Sequence, residues 1–169
     1  MTVSVSSSTI YYLEMKSSDQ LNPVAAPALD VQVKKVEIPC WQLNRFLYQV
    51  VGEPWQWYEK LSWLEKQWRN YVERDELNTT LLYVSGTPAG YFELEQQEET
   101  VELKYFGLLP QFIGMKLGGY LLSEAITQAW QIASERVWVH TCTEDHPAAM
   151  ANYQARGFQL YNTETAIKS

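Results

Sequence analysis

The sequence predicts an α/β fold in which a mixed central sheet carries helices on both of its faces. Short runs rich in β-branched and aromatic residues, typical of strands, alternate with longer segments whose apolar residues recur at helical spacing. Near the middle of the chain, three strand-like runs follow one another through short turns, which predicts an antiparallel meander. Beyond them, two strand-like runs flank a long helical segment, and such a βαβ unit requires its two strands to be parallel.

The N-terminal part of the chain contributes two strands and two helices. The first eight residues are rich in serine and are expected to form a flexible tail, with residues 9–169 making up a single domain. Strands are predicted at Thr9–Met15 and Val31–Ile38. Helical spacing then runs from Trp41 to Val72, and a break at Gly52, Glu53 and Pro54 divides it into two helices. The second helix is expected to carry the apolar residues Trp57, Leu61, Leu64, Trp68 and Tyr71.

The remaining elements complete the sheet and its second helical layer. The expected strands are Thr80–Val84, Ala89–Glu95, Val101–Leu109, Arg136–Thr143 and Phe158–Tyr161, and the expected helices are Gly114–Ser134 and Pro147–Ala155. The turn at Ser85–Pro88 has the residues of a hairpin, and Gly157 is placed to end the last helix.

Composition limits the classes of partner. The chain has 13 Lys plus Arg against 20 Asp plus Glu, a net charge of −7, which argues against nucleic acid or an anionic membrane as its partner. Cys40 and Cys142 make no disulfide framework or metal-binding spacing, so we expect free, structural thiols in a reducing cytoplasm and no metal. No segment resembles a leader peptide or a membrane span of about 18 apolar residues. The oligomeric state is not set by the sequence, and a homodimer is compatible with it.

The segment between strand Val101–Leu109 and the long helix is the most informative part of the chain. A proline and a glycine-bearing turn lead from the strand into the helix, and this connection contains Gly114, Met115, Lys116, Leu117, Gly118 and Gly119. The first turn of a helix has unpaired N–H groups and the positive end of the macrodipole, and glycines let an anion approach them closely. The segment therefore predicts a phosphate site, and a pyrophosphate-bearing cofactor is the expected ligand.

Further motifs follow in a fixed order after this turn. His146 begins the pattern H-x-x-A-x-x-x-Y-x-x-x-G-F, which ends at Phe158. Together with the strand ending Leu108–Leu109–Pro110 and the glycine turn, this order resembles the GNAT superfamily of N-acetyltransferases from about Val31 to Glu164. The family's phosphate-binding pattern has Arg or Gln, then Gly, then Gly or Ala, at positions that here hold Ile113, Lys116 and Gly118. The leading polar residue and the first glycine are therefore replaced.

Acyl transfer to an amine needs a neutral nucleophile, stabilisation of the carbonyl oxygen and an acid for the departing thiolate. The resemblance implies acetyl-CoA as co-substrate, held at the glycine turn, with backbone N–H groups of Leu108 and Leu109 facing the thioester carbonyl. It also implies that Tyr153 lies beside the cofactor sulfur and that His146 contacts the pantetheine arm. Packing against the sheet is the alternative for Tyr153, and helix capping is the alternative for His146.

The catalytic base and the acceptor site are open at this stage. The resemblance favours Glu102 as base, whereas Glu93 competes, because a hairpin centred on Gln97–Glu98 would place it opposite Glu102 or Leu103. A solvated strand position for Glu102 and an ion pair with Lys104 for Glu93 are the simpler interpretations.

The resemblance implies that the segment of Trp55, beside Pro54, forms one wall of a pocket for a small-molecule or peptide amine, with Glu93 as a further substrate contact. Packing in the core between helix and sheet is the alternative for the tryptophan. His140 is interpreted as a sheet residue rather than a catalyst. We therefore expect an N-acetyltransferase acting through direct attack in a ternary complex. A silent acyl-CoA-binding or regulatory module is the alternative, because of Ile113 and Lys116.

Overall fold

The computed structural model describes residues 7–167, which form one seven-stranded sheet and four α-helices. The strands are β1 (Ser7–Met15), β2 (Val31–Lys35), β3 (Leu77–Val84), β4 (Thr87–Gln97), β5 (Thr100–Leu108), β6 (Arg136–Cys142) and β7 (Gln159–Ile167). The helices are α1 (Trp41–Gly52), α2 (Glu65–Val72), α3 (Gly118–Ile132) and α4 (Ala149–Arg156). The strand order is β2-β3-β4-β5-β6-β1-β7, with β5 and β6 parallel and the other described neighbours antiparallel.

The predicted meander and βαβ unit are both confirmed. Strands β3, β4 and β5 pair in sequence through two tight turns. The first turn has Ser85 and Gly86 at φ 48° and 83°, because a two-residue hairpin turn that matches strand twist needs positive φ at both positions. Helix α3 then joins β5 to β6, and the parallel pairing of these strands gives the sheet its mixed character.

The first strand does not pair with the second. β1 lies between β6 and β7 and is antiparallel to both, so that Ile10 pairs with Cys142 on one side and Glu164 on the other. Ser7 and Ser8 already belong to this strand, which corrects the prediction of a tail through residue 8; residues 1–6 of that tail lie outside the described residues.

Each face of the sheet carries one helical layer, as predicted. Helices α3 and α4 cover one face, where Leu121, Leu122 and Ile126 pack against β-strand residues such as Leu103 and Val139. Helices α1 and α2 cover the other, and their buried residues Leu47, Val51, Trp68 and Val72 pack among strand residues Leu81, Tyr91 and Leu77. Successive residues of a strand point to opposite faces of the sheet and therefore pack into two separate apolar layers.

Two helix starts differ from the prediction because the backbone before them is not helical. Helix α2 begins at Glu65, and most of residues 53–64 is irregular, with Gln56 at φ 61°. Helix α3 begins at Gly118 rather than Gly114, because Gly114 and Lys116 take φ values of 88° and 61°. Left-handed residues of this kind interrupt a right-handed helix.

Other boundaries were nearly correct. β2 ends at Lys35, leaving Ile38 83% exposed, and β7 extends well past Tyr161 because it pairs with β1. Gly157 ends α4 at φ 116°, as predicted. Cys40 and Cys142 are free, but Cys40 is exposed before α1 rather than packed as a buried thiol.

Within residues 7–167, we find no group of three or more His, Cys, Asp or Glu side chains arranged to hold a metal. None of the helices in this part of the chain is both long and apolar enough to cross a bilayer.

Candidate active site

Strands β5 and β6 pair only over their first residues and then separate. The pairing joins Thr100–Leu103 to Arg136–Val139, whereas β5 runs on to Leu108 and β6 to Cys142. A strand edge without a neighbour presents main-chain N–H and C=O groups that another extended chain can bind. The gap between these strands therefore offers a main-chain surface for an extended ligand in the interior of the sheet.

At the end of β5, one of the two predicted main-chain donors already has a partner in the sheet. The N–H of Leu109 donates to the carbonyl of Ala89 at 2.8 Å, so it is not available to a thioester. Because N–H groups along a strand alternate in direction, the N–H of Leu108 points the other way, toward β6. Leu108 is therefore the candidate donor, and Leu109 is not.

The start of α3, where the sequence predicts an anion site, has main-chain N–H groups that the helix itself does not use. Leu121 is the first residue whose N–H donates within the helix, to Leu117 at 2.9 Å, so the amides before it have no intrahelical acceptor. A Cβ on Gly114 would meet nothing within 4 Å. The turn is therefore open to an approaching phosphate.

Arg156 lies at the same place and was not predicted from the sequence. A Cβ on Gly119 would lie 2.7 Å from Nη1 of Arg156, which puts this guanidinium beside the first turn of α3. Its Nε is buried and, within the described part of the chain, has no hydrogen-bond partner. A cation with an unused donor at a helix N-terminus suits a phosphate ligand.

Tyr153 is buried on the α4 side of the gap. Its ring contacts Phe106 and Phe158 edge-on, with centroids 6.3 and 5.9 Å apart. Burial, with a smaller effect of the Asp145 carboxylate, raises the pKa of Tyr153 well above its usual range. The phenol is therefore protonated at neutral pH and is a hydrogen-bond donor.

His146 and Trp55 contact each other across the top of the gap. Their ring centroids are 4.6 Å apart, and Nδ1 of His146 accepts a 2.9 Å hydrogen bond from the N–H of Ala148. This hydrogen bond to Nδ1 agrees with the capping interpretation of His146, and it does not involve the other ring nitrogen, Nε2. Nearby, Nε1 of Trp57 donates to Asp145 at 3.3 Å, so residues 53–64 are tied to the loop after β6.

Glu102 is almost fully buried and has three polar neighbours. Its carboxylate lies 3.2 Å from Nδ1 of His140 and 3.3 Å from Nζ of Lys104, and it accepts a 3.2 Å hydrogen bond from Gln97. The interpretation of Glu102 as a solvated strand residue is therefore wrong. His140 follows Val139, the last residue of β6 that pairs with β5, and its side chain is 44% exposed. The imidazole, not the carboxylate, thus faces solvent at the mouth of the gap.

Glu93 does not pair with Glu102, which corrects the predicted register. Glu93 lies opposite Tyr105, and Glu95 lies opposite Glu102, because the ladder shifts by one residue between Glu93 and Leu94 and leaves Lys104 as the extra residue on β5. Glu93 is buried beneath α1, where Asn44 donates to it at 3.2 Å. Burial raises its pKa to about 7, while Asn44 and Lys60 partly offset that rise.

Comparison with known proteins decides the family. A model of the acetyltransferase (GNAT) family matches residues 38–158, which is most of the chain. The chain belongs to the GNAT family. The resemblance inferred from the sequence is thereby confirmed, and so is the predicted fold class.

Individual GNAT relatives agree with this assignment. The chain is 32% identical over 101 residues to the uncharacterized N-acetyltransferase YfmK of Bacillus subtilis, covering 58% of this chain and 66% of that protein. The match thus spans slightly less than two thirds of YfmK.

Solved GNAT structures share the fold at lower identity. A GCN5-related N-acetyltransferase from Kribbella flavida has a TM-score of 0.66 at 17% identity, covering 93% of this chain and 56% of that one. The ribosomal-protein-S18-alanine N-acetyltransferase of Escherichia coli has a TM-score of 0.58 at 18% identity, covering 76% and 77%. These likenesses establish the architecture, and β1, β2 and β7 lie outside the segment that the GNAT model matches.

Proposed function

We propose that the protein is an acetyl-CoA-dependent N-acetyltransferase that transfers the acetyl group to a primary amine by direct attack in a ternary complex. The observation that carries the proposal is the separation of β5 from β6 after Leu103 and Val139, next to the open helix start at Gly118. An extended pantetheine arm matches the main-chain edge, and a pyrophosphate matches the helix start.

The residues present fit this ligand. Near the start of α3, the main-chain amides and the guanidinium of Arg156 would contact the phosphates, and Lys116, which is exposed, would add a second cation. Met115 and Leu117 belong to the same turn and would contribute main chain. Acetyl-CoA would supply an activated acetyl thioester. The N–H of Leu108 would stabilise the charge that develops on its carbonyl oxygen.

Proton transfer would be divided between the two faces of the gap. On the α1 side, Nε2 of His140 would take the proton of the attacking amine, with Glu102 holding Nδ1 at 3.2 Å. This arrangement assigns a positioning role to Glu102, the base that the family resemblance favours. On the α4 side, the phenol of Tyr153 would hydrogen-bond to the departing thiolate. The bond from the amine nitrogen to the acetyl carbon forms as the carbon–sulfur bond breaks.

Two measurements test the proposal. Calorimetric titration with acetyl-CoA should show saturable binding, and release of free thiol should accompany acetylation of some member of a panel of primary amines. Absence of binding at millimolar acetyl-CoA would contradict the proposal. Binding without turnover across the panel would instead support a silent acyl-CoA-binding module, for which the replacement of the family's glycine by Lys116 is the motivation.

The Tyr153→Phe variant tests the role of the phenol once turnover is found. We expect kcat to fall by about tenfold or more, because a hydrogen bond to a charged group in the transition state is lost, with little change in acetyl-CoA affinity. Steady-state kinetics at saturating acetyl-CoA measure this effect. An unchanged kcat would remove Tyr153 from the mechanism.

A further inference from the structure

Three aromatic rings surround the ammonium group of Lys60 on the α1 side of the sheet. Nζ of Lys60 lies 4.7 Å from the ring centroid of Trp63, 5.0 Å from that of Tyr71 and 4.8 Å from that of Tyr105. It also donates a 2.6 Å hydrogen bond to the hydroxyl of Tyr105. We call Trp63, Tyr71 and Tyr105 the aromatic cage. Rings around one cation form the arrangement by which proteins recognise alkylammonium groups.

The aromatic cage adjoins the gap between β5 and β6. Tyr105 and Gly107 lie on the same face of β5, and Trp57 packs over both. The ring centroids of Trp57 and Tyr105 are 5.1 Å apart, and a Cβ on Gly107 would lie 4.0 Å from Cη2 of Trp57. Leu108, the candidate main-chain donor, comes next. All three cage residues are half-buried, so the cage also reaches the protein surface.

The electrostatic surroundings of the aromatic cage favour a cation. The carboxylates of Glu93, Glu59 and Glu95 all act on Lys60 to stabilise its charged form, although burial has the largest effect and lowers its pKa. The charge of Lys104 acts in the opposite direction and lowers the pKa of Lys60. The cage therefore attracts an ammonium group and at the same time makes it easier to deprotonate, which suits an amine that must become neutral before it attacks.

Lys60 reaches the aromatic cage from an irregular connection. It belongs to residues 53–64, and α1 ends before this segment while α2 begins after it. The segment touches the loop after β6 through the contacts of Trp55 and Trp57, and it exposes Tyr58 and Leu61 to solvent. Because Trp63 belongs to the same segment, Lys60 must leave the cage by a movement of its own side chain, which requires neither helix to unfold.

We propose that the aromatic cage is the ammonium subsite for an unbranched primary alkylamine, and that Lys60 fills it in the free protein as an internal substitute which the acceptor displaces. Identifying that alkylamine as the acceptor rests on the proposed acetyl transfer, whereas ammonium binding by the cage does not.

The first experiment measures binding without turnover. In Lys60→Ala, which empties the aromatic cage, n-butylammonium should bind about tenfold more tightly than in the wild type and raise Tm by about 4 °C at ten times its Kd. Lys60→Met, whose neutral side chain still fills the cage, is the matched control and should bind no better than the wild type. 1-Butanol at the same concentrations controls for hydrophobic binding.

Three outcomes overturn the cage proposal: an equal response to 1-butanol, equal affinity in Lys60→Ala and the wild type, or tight binding by Lys60→Met. If Lys60→Ala unfolds when free, recovery of the folded state with n-butylammonium supports the proposal, and failure to recover contradicts it.

The second experiment separates this inference from the proposed function. With acetyl-CoA, Lys60→Ala should lower KM for n-butylamine about tenfold relative to the wild type, because no internal lysine competes. Turnover with an unchanged KM would remove the cage from the acceptor site and leave the acetyltransferase proposal standing. If n-butylammonium binds but neither protein acetylates it, the cage remains a ligand site and the proposed acetyltransferase activity is contradicted.

Discussion

His140 and Glu102 contact each other where β5 and β6 separate, and it can be tested which of the two takes the proton of the amine. If Nε2 of His140 takes the amine proton, His140→Gln should remove the acidic limb of the kcat/KM profile and lower the rate by about 100-fold or more at neutral pH. Glu102→Gln should lower the rate but keep the limb, because the imidazole remains. The measurement is the pH–rate profile of acetyl transfer.

Lys104→Met is the control for this pair. Lys104 contacts Glu102 at 3.3 Å but is given no role in proton transfer, so its variant should keep the acidic limb. An acidic limb that survives in His140→Gln and disappears in Glu102→Gln would return the role of base to the carboxylate.

Glu93 makes stability depend on pH in the direction opposite to a paired surface carboxylate. Its folded-state pKa of about 7 lies above the ordinary 4.5, so the stability that the protonated form contributes is complete below about pH 4.5 and is lost as pH rises through about 7. Relative to the wild type, Glu93→Gln should therefore gain about 3 kcal/mol in free energy of unfolding between these limits. Denaturant titrations at intervals across this range measure the effect.

Glu95→Gln provides the opposite sign on the same strand. The pKa of Glu95 is lowered: burial acts to raise it, but hydrogen bonds from Arg74 and Gln97 outweigh that effect. The stabilisation by the ionised Glu95 carboxylate should therefore be present above its unfolded-state pKa and be lost as pH falls. Glu95→Gln lacks this stabilisation, so its free energy of unfolding should fall relative to that of the wild type as pH rises. Parallel slopes for the two variants would contradict the assignment of Glu93.

At the scale of elements, the connections hold the least predictable features. The hairpin at Ser85–Gly86 was predicted because a two-residue turn carries its own local signal. The register of β4 and β5 was not, since the bulge at Lys104 depends on how both strands pack rather than on either sequence. Lys116 is a similar case: its φ of 61° is one that glycine adopts freely, which explains why a glycine occupies this position in the family pattern.

Two glycines in connections allow the backbone and packing effects to be separated. Gly114 and Gly157 both have positive φ, at 88° and 116°, but only a Cβ on Gly157 would overlap the carbonyl oxygen of Gln20. Gly114→Ala should lower the free energy of unfolding by about 1–2 kcal/mol, from backbone strain alone. Gly157→Ala should cost about 3 kcal/mol or more, because α4 must also move away from residues 17–22. Equal losses in denaturant titrations would show that the contact with Gln20 is readily relieved.

At the scale of the whole molecule, the sheet depends on a strand outside the segment that the family model matches. β1 places Leu13 and Met15 in the core with no solvent exposure and pairs on both of its edges. Deleting residues 1–15 should therefore abolish cooperative unfolding, since each buried side chain contributes about 2 kcal/mol to a total stability of about 5–15 kcal/mol. Thermal melts followed by circular dichroism measure the loss.

Leu13→Ala is the milder form of the same test and should cost about 2–5 kcal/mol while leaving the fold intact. A synthetic peptide of residues 7–16 should restore cooperative melting to the deletion variant by pairing with β6 and β7. A deletion variant that melts cooperatively at the wild-type Tm would show that β1 is dispensable.

The aromatic cage shows why part of the candidate site could not be predicted from the sequence. Its members come from the irregular segment, from α2 and from β5, and Tyr105 joins them through the pairing of β5 in the sheet. The motif residues of the α3 and α4 region are close in sequence and on predictable elements, so the sequence placed Gly118, Gly119 and Tyr153 on the helices where they lie, and their roles stay predictions. Lys60 carries no local signal, because the sequence places it in the predicted second helix, where a lysine has the pattern of an ordinary exposed residue.

The position of β1 also has a consequence for the route by which the chain folds. Ile10 must find Cys142 and Glu164 at the far end of the chain, and the entropy of closing so long a loop is lost before any contact of β1 is gained. The meander and the βαβ unit can form earlier from nearer partners. We therefore expect β1 to dock late and β7 to join the sheet with it, because β1 is the strand neighbour of β7 in the described sheet. Until then, the open edge of β6 is the surface most exposed to mispairing.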